Sequence, residues 1–152
     1  MTNPFLVSAR FRVLGLLLAM FSGCANKEYR VERIDNGQVV RIPLKFESMS
    51  GMRDGELVRA VPVFTDGMDE IRLDIHVRLG PPILFATGAY NAKIGNQTSE
   101  GPIVCDSFSF QGGQDALPSV GGTFRLQDNA TGRTIFRVTM PATPITPKRI
   151  PE

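Results

Sequence analysis

The chain has no tryptophan, one histidine and two cysteines among its 152 residues. A structural zinc site takes about four nitrogen or sulfur ligands, so this inventory argues against one. No Gly-x-Ser-x-Gly elbow, phosphate-binding loop or dinucleotide glycine pattern occurs, and no cofactor is expected. No segment carries apolar residues at helical spacing, and no block of like charge exists. What remains is a chain with 15 glycines and 11 prolines, most of them bordering short alternating segments.

The N-terminus is different in kind. Arg10 and Arg12 are the only charges before Lys27, and Val13–Phe21 follows as nine residues without a polar side chain. As a helix, nine residues cover about 14 Å, roughly half of a hydrocarbon core. That length suits the apolar region of an export signal rather than a membrane span. Small residues Ser22 and Gly23 close the segment, and Cys24 comes next.

The order of basic, apolar and small residues before a cysteine resembles a bacterial lipoprotein signal peptide, over residues 1–24 alone. Phe21, Ser22 and Gly23 fill the three positions before the modified cysteine, with Phe21 in place of the more usual leucine. The resemblance implies diacylglycerol on the Cys24 thiol, cleavage between Gly23 and Cys24, and acylation of the new N-terminus. Three acyl chains exceed the two signals that stable anchoring needs. Ala25, where an aspartate would retain such a protein in the inner membrane, implies an outer-membrane anchor facing the periplasm. Read from residues alone, two alternatives remain: an ordinary signal peptide with Cys24 retained, or a buried N-terminal helix.

Without residues 1–23 the chain loses two arginines, leaving 15 basic and 15 acidic side chains. Zero net charge gives no long-range attraction to nucleic acid, so no nucleic-acid partner is expected. If Cys24 is acylated, Cys105 is the sole thiol and no internal disulfide exists. Its apolar neighbours Ile103 and Val104 favour a buried role. If Cys24 is retained, a Cys24–Cys105 bridge is open.

Segments alternating with period two run through 29–34, 38–48, 56–65, 70–79, 83–94, 103–111, 123–126 and 133–140. Asn36-Gly37 and Asp66-Gly67 mark hairpin turns. The segments predict an all-β fold, an immunoglobulin-like antiparallel β-sandwich of about eight strands. The organisation expected is a signal peptide over 1–23, a tether over 24–28, a sandwich domain over 29–140 and a Pro-rich extended arm over 141–152. Gly95–Pro102 reads as a loop and Gly112–Gly122 as a mobile connection.

Candidate chemistry is sparse. Asp66, Asp69 and Glu70 cluster at one turn and offer oxygens to calcium, but a solvated hairpin uses the same residues. His76 alternates onto a polar face between Asp74 and Arg78, and is the sole base that Asp106, Ser107 or Ser109 would have in a triad. The sequons at Asn96 and Asn129 carry no weight in a bacterial host. No enzymatic activity is expected. The functional expectation is a lipid-anchored module, held to the membrane by its acyl chains, that engages a protein partner in an envelope assembly. The alternative is a ligand-binding or hydrolytic envelope lipoprotein, which would need a deep pocket holding His76.

Overall fold

The computed structural model describes residues 28–80, 85–112 and 117–147. These form ten strands: β1 Arg30–Asp35, β2 Gln38–Arg41, β3 Lys45–Asp54, β4 Leu57–Thr65, β5 Glu70–Arg78, β6 Phe85–Ile94, β7 Gln97–Gln111, β8 Ser119–Gln127, β9 Thr134–Pro144 and β10 Thr146–Pro147. Their spatial order is β10-β3-β4-β5-β6-β7-β8-β9-β1-β2. The all-β class is therefore as the sequence predicts. The immunoglobulin-like division into two facing sheets is not what forms. The strands make one curled mixed sheet, a half-barrel, in which β3 to β9 follow one another as a meander.

Topology explains the single parallel pair seen among the described residues. Seven meandering strands return the seventh, β9, in the direction of the first, β3. β9 continues past Ile145 into β10, which lies parallel to β3 with Thr146 opposite Ser50 and Pro147 opposite Gly51. The long side of the curl is thereby drawn together. β1 and β2 add to the other edge of β9, with Val138 opposite Val31. Asn36 and Gly37 both adopt positive φ (50° and 82°), as the two-residue turn between β1 and β2 requires.

The expected arm over 141–152 is corrected over the residues described. Residues 141–144 finish β9 against β8, with Thr143 opposite Val120. Ile145 is buried against the core, and Thr143 accepts or donates a bond to the Tyr29 hydroxyl at 2.9 Å. Residues 148–152 lie outside the described residues. Pro141 falls in the register shift between Met140 and Thr143, and Pro144 is the last residue of the strand, the bulge and end positions where a missing N–H is tolerated. The sheet accordingly takes in residues 141–144 and 146–147, past the boundary expected at 140.

Other prolines act as their missing N–H predicts. The run expected over 38–48 breaks at Ile42-Pro43-Leu44 into β2 and β3. Pro62 does not end β4. The β4–β5 ladder lapses at Val61 and Pro62 and resumes in the same register, from Ala60 opposite Ile75 to Val63 opposite Arg72. Gln97–Gly101, read as loop, is strand, as is Ser119–Gly122.

Inward residues fill the curl. Phe64, Ile71, Leu73, Ile75, Tyr90, Phe124 and Leu126 are almost wholly buried. Tyr29 stacks on Phe46 at 4.5 Å, and Tyr90 meets Phe136 edge-on at 6.4 Å. The turns β1–β2, β4–β5, β6–β7 and β8–β9 leave at one end of the strands, and the β3–β4 turn leaves at the other.

Candidate functional site

β5 alternates as expected: Ile71, Leu73, Ile75 and Val77 point inward, and Arg72, Asp74, His76 and Arg78 outward. Antiparallel pairing sets Arg59 of β4 opposite His76. Arg59 grips Asp74 with both nitrogens, Nε to Oδ1 at 2.8 Å and Nη2 to Oδ2 at 2.7 Å. His76 Nε2 lies 3.2 Å from Asp74 Oδ1. Partial burial pushes the Asp74 carboxyl up, but the Arg59 bonds and charge, helped by His76, leave it below the usual carboxylate range. This carboxylate is committed to a two-point guanidinium clamp, the geometry of an ion pair that braces two strands. Arg125 holds Asp106 through one nitrogen, its Nε shared between Oδ1 at 3.0 Å and Oδ2 at 2.8 Å.

The acidic turn serves its own backbone. Asp66 Oδ1 accepts the N–H groups of Met68 (2.9 Å) and Asp69 (2.7 Å), and those two bonds lower its carboxyl. Asp69 Oδ1 accepts the Gly95 N–H at 2.9 Å, tying the β4–β5 turn to the β6–β7 turn. Glu70 faces Arg72 at 3.5 Å. Among the described residues no three His, Cys, Asp or Glu side chains are placed to hold a metal ion. Gly23 and Cys24, the cleavage and lipidation positions, lie outside the described residues.

Two adjoining clefts of about 570 and 580 Å³ open at the four-turn end and share Thr98, Ser99 and Asp128. Neither is lined by His76. Asp128 turns its Oδ2 to the Thr131 N–H and hydroxyl at 3.0 and 3.1 Å. Nearby Tyr90 is buried, and its hydroxyl has no partner in hydrogen-bonding geometry. Burial pushes that phenol up; the Ser99 hydroxyl pulls the other way, and Asp128 and Glu100 add to the rise.

The feature that sequence reading missed is a groove in the sheet itself. β6 and β7 pair from Ile94 opposite Gln97 to Ala89 opposite Pro102, and then part. Beyond that point β6 stays with β5 and β7 goes with β8, Ile103 standing opposite Leu126. Pro102 is the reason within the chain, since it has no N–H to continue the ladder. The gap is a groove of about 490 Å³ lined by Ala86, Thr87 and Ile103–Phe108. Among the described residues no strand pairs with this edge of Ile103–Gln111. Phe108 and Phe110 stack beside it at 6.2 Å. The signal that was available was a proline at the head of an alternating apolar run. Cys105 sits here half-buried rather than buried; its Sγ donates to the Ser107 carbonyl at 3.3 Å, and burial, then Asp106, pushes the thiol up. A raised thiol is a poor nucleophile.

Comparison of the chain with protein-family models, curated proteins and solved structures found no match.

Proposed function

We propose that this chain is a lipid-anchored outer-membrane lipoprotein, periplasm-facing, whose β domain is a structural and interaction module of an envelope assembly. The observation that carries the reading is the edge of β7 over Ile103–Gln111, which has no strand partner among the described residues, with its groove against Ala86 and Thr87. An open edge that long offers a row of backbone donors and acceptors, the template for adding a partner's extended strand. Ion pairs such as Arg125–Asp106 and Arg59–Asp74 flank it on the outer face. A filled interior supports the same reading, because the domain spends its apolar side chains on its own core. The anchor rests on the residues 10–24 pattern and its resemblance to lipoprotein signals.

Two experiments test it. Cys24→Ser should leave the precursor uncut and without acyl label; normal processing of that variant overturns the anchor. A photo-crosslinking residue at Thr87 should yield one protein adduct of defined mass in intact envelopes, and the same residue at Met68, on the β4–β5 turn, should not yield that adduct. Absence of the Thr87 adduct overturns the groove as the contact.

The second reading, a ligand-binding lipoprotein, is favoured by one feature, the unpartnered Tyr90 hydroxyl near the clefts at the four-turn end. A hydrolytic version would need a pocket around His76, and that side chain is more than half exposed on the outer face.

A further inference from the structure

We infer that the β2 edge, Gln38–Arg41, is the surface that lies against the anchoring bilayer. The inference rests on acylation of Cys24 and deepens that reading by naming which face of the domain the lipid meets.

Chain length supplies the first step. Ala25, Asn26 and Lys27 are all that separate Cys24 from Glu28, the first described residue. Four Cα steps span at most about 14 Å, so an acylated Cys24 holds the membrane surface within that distance of Glu28. Whatever is exposed beside Glu28 is therefore close to lipid.

The side chains beside Glu28 are known. Its two carboxylate oxygens meet Arg30 and Arg41, each at 2.9 Å. Arg41 is the last residue of β2, and Val39 and Val40 precede it. At about 3.3 Å per residue, both valines lie within about 7 Å of Arg41 along the strand. They are 48% and 46% exposed, on a strand whose four residues are all exposed and which ends the sheet. Two half-exposed branched side chains on an edge strand are an aggregation liability in water. Apposed to a membrane, the same side chains gain by entering the headgroup and acyl boundary, about 5–10 Å deep.

Charge fits lipid as well. The groups around the edge are Arg30, Arg33, Arg41 and Arg137 against Glu28, Glu32 and Asp35. Glu28 is neutralised by its two arginines and Glu32 by Arg137 at 2.8 Å, while Arg33, opposite Val40, is exposed. The patch is apolar with a slight cationic excess, suited to phosphate headgroups. Leu57 is a rival apolar site, 53% exposed, but it begins β4, which six strands separate from β2 in the sheet order.

The absence of tryptophan makes the test clean. The protein is produced in its processed, acylated form beginning at Cys24, with intact mass confirming the lipid, and carries one tryptophan as Val39→Trp, Val40→Trp or Leu57→Trp. Each is placed in phosphatidylethanolamine and phosphatidylglycerol vesicles with brominated acyl chains. Emission from the Val39 and Val40 variants should fall to about half or lower and shift to the blue, as burial at the interface requires, with Leu57→Trp unchanged. An acylated protein in which Leu57→Trp is quenched and Val39→Trp is not overturns this inference and leaves the anchor standing. A mass without lipid overturns the anchor itself. A third arm uses the unacylated Cys24→Ala chain carrying Val39→Trp, without lipid. Emission that stays red at all protein concentrations supports lipid as the occupant; a blue shift that grows with concentration assigns the edge to a second copy and overturns it.

Discussion

Gly51 of β3 lies where Ile145 crosses from β9 to β10: a Cβ on Gly51 would meet Ile145 Cγ2 at 2.6 Å and overlap the Arg59 carbonyl. The closing contact of the curled sheet thus depends on a missing side chain. Gly51→Ala is expected to destabilise the domain by about 2 kcal/mol, as overpacking of a tight site does. Thermal denaturation checks it, and an unchanged midpoint would mean that β10 yields easily.

Removal of the closing strand should cost more than the extended-arm reading of the C-terminus implies. Deleting residues 145–152 takes away buried Ile145 and the pairing of Thr146 and Pro147 with β3. Ile145→Ala alone should cost about 2–3 kcal/mol, the usual loss for a buried isoleucine. Urea denaturation of the deletion, the point variant and the parent orders the three. A deletion as stable as the parent would restore the arm as a free segment.

The Arg59–Asp74 clamp predicts a direction in pH. The folded carboxyl of Asp74 is held below its ordinary value, so it contributes stability above the unfolded carboxylate range. That contribution is lost as pH falls through the folded value. Asp74→Asn should cost about 1 kcal/mol at neutral pH, a figure kept small because both side chains are partly exposed. The variant should also show a shallower loss of stability on acidification. Denaturation midpoints from neutral to acid pH measure both; parallel curves would remove the clamp as a contributor.

Tyr90→Phe separates two roles for one hydroxyl. The group is buried and unpartnered, so its loss should leave stability unchanged or raise it by up to about 1 kcal/mol. A loss greater than about 1 kcal/mol would mean that the hydroxyl is bonded in solution, through Ser99 or a water.

Much of the fold is legible locally. The alternation of Ile71, Leu73, Ile75 and Val77 against Arg72, Asp74, His76 and Arg78 reports strand β5 and its buried face, because period two is a property of a single extended backbone. Asn36-Gly37 reports its turn, because few other residues accept positive φ there. The bonds from Asp66 to the Met68 and Asp69 N–H groups are local and belong to the turn itself; the bond from Asp69 to Gly95, 26 residues on, depends on two turns meeting. The separation of β6 from β7 was not, although Pro102 stands at it: a proline ends a ladder only if the neighbour is known.

The sequence alone determined that this is an all-β chain, with its inward faces and most turns. Those features depend on residues near one another along the chain. Tertiary structure decided that the strands form one curled sheet instead of two facing ones, that residues 141–147 close it, and that among the described residues an edge of β7 has no partner strand. Each of these is a matter of register between segments as far apart as Ser50 and Thr146. Register is set by which side chains fill a shared interior, and no single segment carries that information.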